Sequence, residues 1–135
     1  MPAKRLKSLA IVALLSLIAQ AAPAQDASKA MLSPGFTFAE AGGEELYANV
    51  CQACHMLDGK GAIGAGAYPS LAGDKNLEAN SYPLSIVVNG QRAMPPVGQL
   101  MNDNQVAAVV NYVRTHFGNN YQDAVTAADV KAVRR

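Results

Sequence analysis

Residues 49–64 read NVCQACHMLDGKGAIG, and this stretch contains both cysteines of the 135-residue chain. Two residues separate Cys51 from Cys54, and His55 follows the second cysteine directly. On a helix this spacing brings the two thiols and the imidazole together within about one turn. Attachment of a c-type haem needs two thiols that add to the haem vinyl groups and an adjacent imidazole that reaches the iron. The C-x-x-C-H spacing therefore predicts covalent haem attachment.

Three other uses of the cysteines stay open at this point. A structural zinc site needs four ligands, and His116 is the only Cys or His outside the cluster. A redox pair of the thioredoxin type belongs next to a β-α-β pattern, and no alternating or β-branched run precedes Cys51. A plain disulfide is the third alternative, because an oxidising compartment normally pairs two free thiols.

The N-terminal segment has the organisation of a secretory signal peptide. A positive start is followed by an apolar run at residues 9–18 and by small residues at Ala22 and Ala24. An uncleaved membrane anchor is the alternative, although the run is about half of the ~20 residues that a spanning helix needs. We expect residues 1–24 to be removed on export to the periplasm, with residues 25–42 forming an N-terminal extension.

Charge and motif context argue against nucleic-acid and nucleotide binding. Removal of residues 1–24 takes away three of the eleven Lys and Arg and none of the ten Asp and Glu, which leaves a formal charge of −2. Such a chain offers no basic surface for nucleic acid. The segment GKGAIG at residues 59–64 matches the dinucleotide-binding pattern G-x-G-x-x-G, but that fingerprint requires a preceding strand and a following helix. The cysteine cluster precedes it instead.

Four segments, in this order, resemble the class I c-type cytochromes: YANVCQACHMLDGKG, YPSLAG, GQRAMPPVG and VAAVVNYVRTHFG. More specifically, they are similar to the single-haem domains of cytochrome c subunits of periplasmic dehydrogenases. The resemblance covers residues 43–118. It implies an all-α fold, the small cytochrome c fold, with helices packed around one covalently attached haem c. Residues 119–135 then form a C-terminal extension.

Local patterns in the first half of the chain predict two helices and a loop. A helix that begins near Gly43, with acidic residues in its first turn, places Leu46 and Val50 on one face. The glycine-rich residues 57–73 have no helical period and are expected to form a loop. The segment YPLSIVVN at residues 82–89 is short and β-branched, but the family resemblance favours a helix.

Two further helices are predicted in the second half. Asn102 followed by Gln105 is a capping-box pattern, and Gly118 is the expected end of the helix that starts there. Thr126 with Asp129 three residues later indicates a short terminal helix that serves packing or tethering. The apolar positions that repeat at helical spacing in the first of these helices are Val106, Val109, Val110, Val113 and Phe117.

The resemblance implies that a methionine ligates the iron opposite His55. Met31 lies in an irregular N-terminal segment, and Met56 follows His55 too closely to reach the opposite face of the ring. Met94 and Met101 therefore remain as candidates.

Sequence context favours Met94 as the ligand. Two prolines follow it; the first restricts Met94 to an extended conformation and both fix their own φ, which stiffens the loop. Met101 instead precedes the expected cap Asn102, and Val106 is placed to form a hydrophobic staple with it. Met94 also occupies the position at which the resembling family places its ligand.

The resemblance also implies two residues next to the haem. A ligating imidazole usually donates its other N–H to a carbonyl, and the family places the carbonyl of Pro69 there. Leu71 is expected to pack on the ring. The predicted haem-binding residues are Cys51, Cys54, His55, Pro69, Leu71 and Met94, and the predicted iron ligands are His55 and Met94.

Two functions follow from these features. The first is a non-enzymatic electron carrier that passes single electrons from a periplasmic dehydrogenase to an oxidase or another cytochrome. It would contact a membrane only through a partner or an uncleaved signal. The alternative is a haem enzyme or gas-binding protein with an open iron. A methionine ligand leaves no open site and raises the reduction potential, and no distal His-Arg pair is evident near Met94, so the sequence favours the carrier.

Overall fold

The computed structural model describes residues 37–64 and 66–134. The expected signal peptide and Met31 lie outside the described residues. The first helix, α1, is continuous over three segments: α-helical Gly43–Leu46, π-helical Tyr47–Cys51 and α-helical Gln52–His55. The others are α2 (Ser81–Asn89), α3 (Asp103–Thr115) and α4 (Ala127–Val133), with 3₁₀ turns at Lys75–Leu77 and Val97–Leu100. The described residues contain only isolated β-bridges besides these, so the all-α prediction is confirmed.

Helix α1 crosses α3 in direct contact at Gly43. A Cβ atom at this position would lie 2.3 Å from the carbonyl oxygen of Ala108 and 2.7 Å from Cβ of Tyr112, so only glycine permits this approach. The glycine therefore fixes the distance between α3 and the helix that carries the cysteine cluster.

Leu46, Tyr47 and Val50 of α1 face the hydrophobic core. Leu46 and Tyr47 are buried, whereas Val50 is only half-buried. Val50 nevertheless packs against the core that contains Leu46 and Tyr47, so the predicted common face of Leu46 and Val50 is confirmed.

Helix α2 confirms the helical prediction for residues 82–89. Pro83 lies in the first turn, where its missing N–H costs no hydrogen bond. Leu84 and Val88, four residues apart, are both buried in the core.

Helix α3 begins as predicted but ends earlier. Asn102 Oδ1 accepts a hydrogen bond from the N–H of Gln105, and Gln105 Oε1 accepts one from the N–H of Asn102, which completes the capping box. The helix ends at Thr115, so the predicted continuation to Gly118 is wrong. Phe117 adopts φ 58° and packs its ring 4.7 Å from that of Tyr47. This aromatic contact requires the chain to leave the helix.

The hydrophobic core joins all four helices. Helix α4 begins after the Thr126 cap, as the capping pattern predicts, and its Val130 is completely buried. The buried apolar residues are Leu46, Tyr47, Leu77, Leu84, Val88, Met101, Val106, Ala107, Val109, Val110, Val113, Val125 and Val130.

None of the helices in the described part of the chain is long and apolar enough to cross a membrane.

Arg114 is a fully buried charge that sequence patterns do not reveal. Its guanidinium donates to the carbonyl oxygens of Leu77 and Glu78, both at 2.9 Å, and to both the carboxylate and the carbonyl of Asp123. These hydrogen bonds compensate the buried charge of Arg114. They also connect the last turn of α3 to residues 77–78, which precede the helix, and to Asp123, which follows it.

Candidate haem-binding site

Both cysteines lie on consecutive segments of α1. Cys51 ends the π-helical segment, Cys54 lies in the next, and both are free and partly buried. Burial, and to a smaller extent the neighbouring Cys54 thiol, raises the pKa of the Cys51 thiol to about 12. Burial in this fold therefore favours the neutral form of the Cys51 thiol.

His55 ends α1 and is buried. Its Nδ1 lies 3.0 Å from the carbonyl oxygen of Pro69, the pairing that the family resemblance implies. When Nδ1 donates to this carbonyl, the lone pair is on Nε2, which has no hydrogen-bond partner within residues 37–64 and 66–134. The imidazole is thus oriented as in a metal-ligating histidine.

The loop after α1 folds back onto the cysteine cluster. Gly61 N–H donates to the carbonyl oxygen of His55, and Ala62 N–H donates to that of Cys54, each at 3.0 Å. Gly61 has φ 79°, and a Cβ atom there would lie 2.2 Å from the carbonyl oxygen of Tyr68. The glycine in this segment therefore allows two parts of the loop to pass closely, which brings the neighbouring Pro69 carbonyl to His55.

Leu71 follows Pro69 in the same loop. It is half-buried and packs against the hydrophobic core, and its N–H donates to the carbonyl oxygen of Gly59 at 2.6 Å. Its contact with a haem ring stays a prediction.

The two candidate methionines have different environments. Met101 is buried in the core with 4% of its surface exposed. Met94 is half-buried and closes a turn in which its N–H donates to Gln91 O at 2.9 Å, and Gln91 N–H donates to Met94 O at 3.0 Å. Pro95 and Pro96 continue the chain from this turn.

Tyr47 is a residue of the site that sequence reasoning did not identify. Its buried hydroxyl donates to the carbonyl oxygen of Met56 at 2.6 Å. Met56 has φ 64° and ψ 165°, a region essentially restricted to glycine, and it directly follows His55. The tyrosine therefore holds a strained residue next to the histidine. The sequence shows only that Tyr47 lies eight residues before His55, and its contact with the Met56 carbonyl becomes visible in the fold.

We expect Tyr47→Phe to reduce the stability of the holoprotein by about 1–3 kcal/mol at neutral pH, because the Met56 carbonyl loses its donor. The pKa of Tyr47 is raised to about 12, mainly because the side chain is buried. The neutral phenol is therefore favoured by folding. The contribution of the neutral Tyr47 phenol to the free energy of unfolding is complete below about pH 10, the pKa of an unfolded tyrosine. It is lost as the pH rises through about 12. Urea unfolding at a series of pH values measures both effects.

Two outcomes check this assignment. The stability difference between wild type and Tyr47→Phe should shrink above about pH 10. A difference that stays constant across this range would contradict the role of the Tyr47 hydroxyl.

The donor set fits haem c. Two free thiols three residues apart and an oriented imidazole lie at the end of one helix. A zinc site lacks comparable support, because the described residues contain no group of three or more His, Cys, Asp or Glu side chains that could hold a metal ion. His116 instead stacks on Tyr112, with ring centroids 4.0 Å apart.

Comparison with known proteins places the chain in a family. Residues 38–113 match the family model described as cytochrome c oxidase, cbb3-type, subunit III. The fructose dehydrogenase cytochrome subunit of Gluconobacter japonicus is 39% identical over 107 residues, which cover 68% of this chain and 22% of that protein. The cytochrome c subunit of the quinone-dependent alcohol dehydrogenase of Gluconacetobacter polyoxogenes is 34% identical over 117 residues, which cover 77% of this chain and 24% of that protein.

A third relative, the gluconate 2-dehydrogenase cytochrome c subunit of Pantoea cypripedii, is 34% identical over 108 residues, covering 69% of this chain and 24% of that protein. The chain thus spans about a quarter of the length of these relatives, all named cytochrome subunits of dehydrogenases. The family match extends over more than half of the chain and includes the whole cysteine cluster. The chain therefore belongs to the c-type cytochrome domains, electron-transfer proteins that hold haem c covalently.

Proposed function

We propose that this chain is a periplasmic electron carrier in which His55 and Met94 ligate the iron of one haem c. When bound, this group supplies an iron that gains and loses one electron. Cys51 and Cys54 hold it through thioether bonds. His55, oriented by the Pro69 carbonyl, and Met94 would supply the two protein ligands of the iron.

The contrast between the two methionines carries this proposal. Met101 already fills a place in the core beside the start of α3, so its release would open a cavity. Met94 is half-buried and packs in no such cluster, while the Gln91 turn and two prolines restrict its backbone. A side chain in a stiff loop that is not needed for packing is available to bind a metal.

The partners that we propose are a periplasmic dehydrogenase as electron donor and an oxidase or another cytochrome as acceptor. The names of the relatives support a dehydrogenase. Large apolar side chains exposed after the cysteine cluster support contact with a protein partner: Ile63 is 90% and Leu57 is 77% exposed. Electron-transfer contacts are small and weak, so a few such side chains suffice.

Carbon monoxide distinguishes this carrier from a haem enzyme or gas-binding protein. We expect the visible spectrum of the reduced wild-type protein to remain unchanged when carbon monoxide is added, because Met94 occupies the position at which the gas would bind. The measurement needs only the purified, reduced holoprotein. A shift of the haem bands would show an open iron and would favour the second function.

A further inference from the structure

The residue after α4 reaches across the fold to the loop that carries Met94. Arg134 Nη2 donates to the carbonyl oxygens of Gly98 and Met101, at 2.8 Å and 2.7 Å, and Nε donates to Asp103 Oδ1 at 2.7 Å. Its side chain is 25% exposed. Bonds from a charged donor at these distances are among the stronger hydrogen bonds of proteins.

The turn bound by Arg134 is directly connected to Met94. Residues 97–100 form a 3₁₀ turn, and only Pro95 and Pro96 separate it from the methionine. Because both prolines have a fixed φ, a displacement of Met94 is transmitted to the turn. On its other side the turn packs on α2, where a Cβ atom at Gly98 would lie 2.8 Å from the carbonyl oxygen of Val87. The turn is therefore held between α2 and Arg134.

We propose that Arg134 is a positioning residue that keeps Met94 at the iron by holding this turn against the body of the protein. The inference rests on the proposed ligation by His55 and Met94. A competing ligand must displace Met94 and move the turn, and this movement breaks the bonds from Arg134 to Gly98 and Met101. The bonds therefore lower the affinity of the protein for external ligands.

Imidazole binding to the oxidised holoprotein tests this role. Titration is followed by the loss of the weak near-infrared sulfur-to-iron band. We expect Arg134→Ala to bind imidazole about tenfold more tightly than wild type, since the cost of opening falls by about 1.4 kcal/mol. Arg134→Lys should give an intermediate affinity, because lysine keeps the charge but lacks the planar fork that reaches two carbonyls and a carboxylate.

Two controls separate this role from general stability. Lys131→Ala removes an exposed charge from α4, the helix that precedes Arg134, and should keep the wild-type affinity for imidazole. Val125→Ala truncates a buried core residue, so it should lower the urea midpoint while leaving that affinity unchanged. If Arg134→Ala yields no holoprotein, Asp103→Asn replaces it and should also tighten imidazole binding.

The outcomes distinguish the inference from the function on which it rests. If wild type shows the sulfur-to-iron band and Met94→Ala lacks it, the ligation stands; an Arg134→Ala affinity within about twofold of wild type would then overturn only the role of Arg134. If wild type lacks the band, the proposed ligation fails and the role of Arg134 fails with it.

Discussion

Met94→Ala is expected to convert the iron to a high-spin or water-ligated form, abolish the near-infrared sulfur-to-iron band, lower the reduction potential and admit carbon monoxide. Each change follows from the loss of the thioether, which holds low-spin iron, raises the potential and closes the sixth position. Absorption spectra of the oxidised and reduced variant, with and without carbon monoxide, record these changes. The spectra require no knowledge of the physiological partner.

Met101→Ala is the matched control for this experiment. The cap of α3 alone would account for a loss of about 1 kcal/mol. Because Met101 lies in the core, we expect a larger loss, about 2–5 kcal/mol in urea unfolding, with no change in the haem spectrum. If Met94→Ala keeps the sulfur-to-iron band and Met101→Ala loses it, the ligand assignment is reversed.

Cys51→Ala and Cys54→Ala are each expected to reduce the yield of holoprotein sharply, because each removes one thioether bond. The haem-free chain should remain largely unfolded. Among the described residues between 57 and 70, only Gly59 is buried, so this loop gains little from protein packing alone. A small domain of this kind depends on a bound group for its stability.

Haem absorbance per milligram of protein and far-ultraviolet circular dichroism measure the two effects. Ala53→Ser is the matched control. Ala53 is exposed and lies between the two cysteines, and its substitution leaves both thiols in place. Cysteine variants that accumulate folded haem protein as well as Ala53→Ser does would contradict attachment through these residues.

Features of the fold that depend on neighbouring residues could be predicted from sequence. The starts of α3 and α4 follow from the Asn102 and Thr126 capping patterns, which operate within one helical turn. The buried valines of α3 follow from helical period. The C-x-x-C-H cluster is equally local, so sequence alone indicated its chemistry.

Features that depend on distant contacts could not be predicted. Helix α3 ends at Thr115 because Phe117 packs on Tyr47, a residue 70 positions earlier in the chain. The charged side chains of Arg114 and Arg134 resemble ordinary surface residues in sequence, yet they bind carbonyls more than 30 residues away. No period or spacing contains this information, because the partners lie on separate elements.

The mass of the secreted protein after acid-acetone extraction tests most directly whether Cys51 and Cys54 hold the haem covalently. The extraction removes haem that is held only by coordination and packing, whereas thioether bonds survive it. We predict a single species that begins near Gln25 and carries the mass of one haem. A species with the mass of the polypeptide alone would contradict covalent attachment and, with it, the account of this chain as a c-type cytochrome.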